Sequence, residues 1–217
     1  MKKNIAAIFS FLALTVLSIQ DSLNAMAATP GRYPGAQEES LKTEKKSNAL
    51  LGIGFGNYLV SDETFQQVYG KSGLIYGLEF AYSVYSKNNF ELYLALEGRH
   101  FGKTGASTIS QQEAKISLTP VSLSLEGVLS KKFISLFLGL GLDDYFYDEQ
   151  SALKNTSGST LGFHVNGGFS VQVPPVEFLK LKVYLRGTWA RTTENDLNIS
   201  LGGAEYGASL LYSFRLF

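Results

Sequence analysis

Seven ionisable residues, Glu79, Glu97, Arg99, Glu126, Lys182, Arg186 and Glu205, stand within stretches that are otherwise apolar, small or weakly polar. Four carboxylates and three bases in such surroundings can do one of two things. They can neutralise one another as an internal ion network, or they can line a gated ion path or proton relay. Buried charges are retained as pairs, which favours the network, and no residue type here selects an ion. Hydrolytic chemistry would need a nucleophile and a base within hydrogen-bond reach. The only histidines are His100 and His164. His164 has Gly162 and Asn166 as its same-face neighbours, with no serine two residues away, and His100 runs into Phe101-Gly102. Asp143 and Asp144 are adjacent, so on a strand they face opposite sides and form no paired-carboxylate site. Gly70-Lys71-Ser72 and Gly102-Lys103-Thr104 look like the ends of phosphate loops, but the glycine required five residues earlier is Phe65 in one case and Glu97 in the other. No cofactor, metal site or catalytic set is expected, and the chain reads as a non-enzyme.

Composition narrows the field further. Lysine plus arginine equals aspartate plus glutamate at 19 each, so no basic face advertises nucleic acid. There is no cysteine, which removes disulfide frameworks, thiolate nucleophiles and a lipidated cysteine together. Lys2 and Lys3 precede the apolar run IAAIFSFLALTVLSI, and Ala25-Met26-Ala27 offers small residues for cleavage. Residues 1–27 therefore read as a secretory signal peptide, the run being too short for a spanning helix. Residues 28–48, with two prolines, two glycines and clustered charge, read as a flexible segment.

The groups named above must be positioned by strands. From Ala49 onward eight stretches of about ten residues alternate apolar with small or polar side chains, the spacing that puts residues two apart on one face of a strand. Leu51, Ile53, Phe55 and Leu59 oppose Gly52, Gly54 and Gly56; Leu74 to Val84 opposes Gly77, Glu79 and Ala81; Phe90 to Leu96 opposes Glu91, Glu97 and Arg99. In the fourth stretch the apolar phase slips at Pro120, which predicts a bulge there. The fifth, sixth and seventh place Ile134 to Leu142, Leu161 to Val171 and Leu181 to Trp189 on their apolar faces, and the eighth shows a slip at Gly202-Gly203 before its regular ending. Short connections (86–89, 130–132, 174–177) alternate with longer polar ones (61–73, 102–114, 147–159, 192–198), as in an up-and-down meander.

Two barrels fit this pattern. A soluble barrel points its bulky face inward and carries dense charge outside; a membrane barrel turns the bulky face to lipid and fills its lumen with small or polar groups. Here the second face is mostly glycine, serine and alanine with few charges, too little to make a wet exterior. The reading is all-β: a monomeric eight-stranded antiparallel up-and-down transmembrane barrel over residues 49–217, with the seven charges lining its lumen. Tyr58, Tyr76, Trp189 and Tyr206 fall toward the long-loop end, and Tyr82, Phe90, Phe133, Phe178 and Phe214 toward the short-turn end, where interfacial aromatics belong.

With its leader, strand count, loop asymmetry and terminal Phe217, the chain resembles the small eight-stranded outer-membrane barrels related to opacity-type surface antigens, over roughly residues 50–217. The resemblance implies a bacterial outer-membrane location with periplasmic termini. It also implies a last strand, through Tyr212, Phe214 and Phe217, read by the outer-membrane insertion machinery. Where the family keeps an aromatic two positions before the terminal one, this chain has Arg215. The expected role is structural, or surface-interacting in the manner of an adhesin or antigen, through the external loops. Those loops hold Asp62, Glu63, Asp148, Glu149, Glu194 and Asp196, acids suited to solvent or to cation bridges with lipopolysaccharide. The partners expected are outer-membrane lipids, lipopolysaccharide and the insertion machinery, with no nucleic acid. The alternatives are a narrow porin-like ion channel and a lipid A-modifying enzyme.

Overall fold

The computed structural model describes residues 48–106, 111–151, 155–174, 176–194 and 197–216. The proposed leader, the segment up to residue 47 and Phe217 lie outside the described residues.

Among the described residues nine strands follow in chain order: β1 (Ala49–Val60), β2 (Ser72–Lys87), β3 (Phe90–Ala106), β4 (Glu113–Lys131), β5 (Ile134–Ser151), β6 (Asn155–Val173), β7 (Val176–Glu194), β8 (Leu197–Ser200) and β9 (Gly203–Phe214). One short helix, α1 (Glu63–Tyr69), lies between β1 and β2. From β1 to β7 each strand pairs antiparallel with the next, β7 pairs with β9, and β9 returns to β1, so eight strands close into a ring. β8 adds a short ladder to the outer end of β7. Within the apolar belt closure leaves no unpaired edge, a condition hydrocarbon imposes on any strand that crosses it.

The bulky apolar rows face outward. Leu138, Leu140, Leu142, Leu161 and Leu185 are each 66–78% exposed, whereas Glu79, Glu97, Arg99, Glu126, Lys182, Arg186 and Glu205 are all buried inside. A soluble protein does not leave so many large side chains in water; a bilayer is the solvent they fit. On β5 the outward residues are apolar from Ile134 to Leu142 and then become Asp144, Phe146, Asp148 and Gln150. On β4 they are apolar from Leu129 up to Val121 and then become Thr119, Ser117, Lys115 and Glu113. The apolar belt is thus about nine to eleven residues tall, the length of a tilted transmembrane strand. Tyr76, Trp189 and Tyr206 mark its upper edge, and Phe90, Phe133, Phe178 and Tyr212 its lower edge, all substantially exposed. Tyr82 and Phe214 at that lower edge are partly covered.

Strands β3 to β7 are 17–19 residues long, far more than the bilayer needs, and the surplus corrects the expected loops. Most of 102–114 and 147–159 is strand that continues above the membrane. The connection at 61–73 holds α1, and that at 192–198 holds the β7–β8 ladder.

Two expected irregularities are absent for a shared physical reason. The β4 register runs unbroken through Pro120 against β5, and on either side of it against β3. Likewise the partners of β7 continue in one register from β9 through Leu201 into β8, across Gly202. The backbone does not slip at either point. The interior changes character instead: above the membrane the inward face turns apolar, so Ile116, Leu118 and Leu201 point inside while the outward face turns polar. Tyr58 belongs to that interior as well. It is 2% exposed, with its hydroxyl donating to the Leu201 carbonyl at 2.5 Å, and so is not part of the outer aromatic girdle. One shift the sequence did not advertise occurs on β2, between Ser83 and Tyr85.

Candidate functional site

The lumen is stacked in three layers. At the short-turn end Leu50, Ala81, Tyr93, Ala95 and Leu211 pack together, with Val128 against them. Above them lies the ionic layer. Over that sits a larger apolar layer built from Tyr58, Val60, Ile75, Phe101, Ile116, Leu118, Tyr145 and Leu201, closed by Phe65 and Tyr69 of α1. Alternation along single strands produces the stacking. On β3, Tyr93 and Ala95 point into the lower layer, Glu97 and Arg99 into the middle, and Phe101 into the upper one.

All seven expected residues meet in the ionic layer. Lys182 Nζ stands 2.7 Å from Glu79 and 3.0 Å from Glu126, with the Phe137 ring beneath it. Asn166 Nδ2 donates to Glu126 at 2.6 Å. Arg186 donates to Glu97 at 2.5 Å. Arg99 binds Glu205, donates to Ser122 at 3.1 Å, and lies 3.6 Å from Glu97 and 3.7 Å from Asp143. The Tyr184 hydroxyl donates to Glu205 at 2.6 Å.

The sequence did not reveal that Asp143 and His164 join this layer. His164 Nδ1 lies 2.9 Å from Asp143 Oδ1, the Ser122 hydroxyl donates to the same oxygen, and both partners of the pair are buried to within 1%. Neighbour spacing along one strand could not show this, because the three residues come from β4, β5 and β6. Gly141 brings them together: a Cβ there would lie 2.5 Å from His164 Cε1 and 2.7 Å from Ser124 Cβ. The Ser122 hydroxyl and the His164 imidazole both bind one oxygen of Asp143, so the imidazole does not stand between serine and carboxylate as it does in a serine-hydrolase relay. Asp144 faces outward, as the spacing required. His100 also faces outward, with Nδ1 3.2 Å from Thr119 Oγ1 and its ring beside Tyr76, so the two histidines share no site.

The layer borders a cavity of about 20 Å³ lined by Gly54, Glu79, Glu97, Arg186 and Glu205 among others. That is room for a water molecule and for no substrate. Five carboxylates face Arg99, Lys182, Arg186 and His164, and no group of three or more His, Asp or Glu among the described residues could hold a metal ion.

α1 is fixed from several sides. Asp62 caps it by accepting from the Phe65 backbone N–H at 2.9 Å, and also accepts from the Ser200 N–H at 3.0 Å, tying the helix to β8. Gly105 lets the helix approach β3, since a Cβ there would sit 1.9 Å from the Val68 carbonyl oxygen. The Tyr69 hydroxyl donates to Glu149 at 2.5 Å. Burial first, then that carboxylate, push the phenol's pKa up, so it remains a donor. Two of the external acids therefore hold the lid in place. Glu63 and Asp148 remain solvent-facing.

At the other end Tyr212 stacks with Phe214 at 5.9 Å and meets Phe178 edge-on at 5.4 Å, both on the outward face that the ending predicts.

Among solved structures the chain is similar to OprG, an outer membrane protein of Pseudomonas aeruginosa, at 14% identity and a TM-score of 0.53, covering 79% of this chain and 98% of that one. Neisserial surface protein A gives 12% identity and 0.51, covering 76% and 96%. The N-terminal β-barrel domain of Pseudomonas aeruginosa OprF gives 13% and 0.50, covering 78% and 100%. At this identity the likeness shows the fold, an eight-stranded membrane barrel. No protein-family model and no curated protein matches the chain.

Proposed function

We propose that this chain is a closed, non-enzymatic barrel of the bacterial outer membrane, related to the opacity-type surface antigens, whose activity lies in the end that projects beyond the lipid. One observation carries the reading: the seven network residues, Asp143 and His164 are buried in an ionic layer that lies between two apolar layers. The cavity at the network residues has room for a water molecule only, which supports a reading without catalysis there. What remains accessible is the polar extension of β3 to β7, with α1 and the β7–β8 ladder, a rigid platform on which surface contacts would be made. The similarity to Neisserial surface protein A and to the outer membrane protein OprG supports that placement. The partners in this reading are outer-membrane lipids and lipopolysaccharide around the belt, and the insertion machinery at Tyr212 and Phe214, with the barrel a monomer.

The test is whole-cell binding to immobilised matrix and serum proteins. Cells displaying the barrel should bind more than cells without it. Replacing the solvent-facing Glu63 and Asp148 should change that binding while leaving heat-modifiable gel mobility intact. Lipid A mass spectra should be the same with and without expression. A new lipid A species lost in His164→Ala would mean an enzyme, and equal binding by both cell types would remove the surface role.

A further inference from the structure

The two neighbouring short turns that join β2 to β3 and β4 to β5 carry three lysines between them. Lys87, Lys131 and Lys132 are exposed, and the turns carrying them are stitched together by the Ser130 N–H donating to the Asn89 carbonyl at 2.8 Å. No ion pair to any of the three exists among the described residues. The one acid close by in sequence, Glu91, is turned inside, 4% exposed, and accepts from the Tyr93 hydroxyl at 2.9 Å. Among the described residues the cluster is therefore a patch of positive charge with no ion-pair partner. Phe90 and Phe133, 37% and 60% exposed, flank it and set its depth at the boundary between hydrocarbon and headgroups.

Backbone geometry adds a second, independent observation. The first turn puts Asn88 at φ 54°, which asparagine tolerates, but the second puts Lys132 at φ 56°. A long side chain is disfavoured there, and glycine or asparagine would suit the turn better. A residue kept against local preference points to what its side chain meets outside the fold.

We propose that Lys87, Lys131 and Lys132 form a binding site for the phosphate headgroup of an anionic phospholipid in the leaflet at the short-turn end. The proposal rests on the membrane placement above, not on any role for the external end. Ammonium groups at this depth meet the headgroup phosphates directly, each contributing about five-fold in partition toward an anionic surface. The aromatic pair holds the turns at that level.

The test is amide NMR of the full barrel in phosphatidylcholine nanodiscs containing rising fractions of phosphatidylglycerol. Amides of residues 87–89 and 130–133 should shift and saturate, while those of the external rim near Lys115 stay put. The K87Q/K131Q/K132Q variant should lose that response. Lys132→Asn is the more telling change: it should raise the thermal midpoint, because the turn relaxes, and still weaken the response to phosphatidylglycerol about five-fold. An equal response in the triple variant would overturn the site, as would equal shifts from inorganic phosphate in nanodiscs without anionic lipid. A barrel that will not enter nanodiscs at all would instead overturn the membrane placement.

Discussion

Lys182 shows most directly what the buried charges do. It is 4% exposed and within hydrogen-bond range of both Glu79 and Glu126, so the three form one unit across β2, β4 and β7. Removing the ammonium leaves two buried carboxylates without the counter-charge they share. Lys182→Met should cost about 3–5 kcal/mol, seen as a lower urea midpoint for loss of heat-modifiable mobility. Lys115→Met, removing an exposed partner of Glu113, should leave the midpoint unmoved. An equal effect of the two substitutions would mean that the interior is wet. The seven network residues were legible in the sequence because they stand on the faces opposite the bulky apolar rows, among glycine, serine and alanine. Asp143 and His164 were not, since their partnership runs across strands and depends on the missing side chain at Gly141.

At the scale of the element, α1 and the upper apolar layer decide whether the barrel is closed. The helix is only seven residues long and could not stand alone in water. It forms because Asp62 caps it and because Phe65 drops onto Phe101, ring centres 6.3 Å apart, with Tyr69 packed on Phe65 at 4.9 Å. Asp62→Ala should cost about 1 kcal/mol through the lost cap, and Phe65→Ala about 3–5 kcal/mol through the cavity it leaves. Hydrogen exchange should locate both losses in α1 and β8 while the membrane belt stays protected. Protection unchanged in α1 would show that the lid is held by something else. The strands themselves were readable from alternation. The lid was not, because a seven-residue segment has too few turns to display a helical period. The apparent slips at Pro120 and Gly202 misled for an instructive reason. Alternation reports which face is apolar, and it inverts without any backbone change where a barrel leaves the lipid and its interior becomes a core.

For the whole molecule, the outward belt and the three-layered lumen are two consequences of one choice of solvent. The rows from Leu136 to Leu142 and from Leu181 to Leu185 are stable outside only against acyl chains. That leaves glycine and paired charge to fill a bore just wide enough for side chains. The layers above and below then determine whether such a bore conducts. Single-channel recording in planar bilayers tests this most directly. The account predicts a silent wild-type barrel, and discrete steps only when both layers are opened together by Phe101→Ala and Tyr93→Ala. Steady conductance in the wild-type barrel, changed by neutralising Glu97 or Arg186, would contradict it.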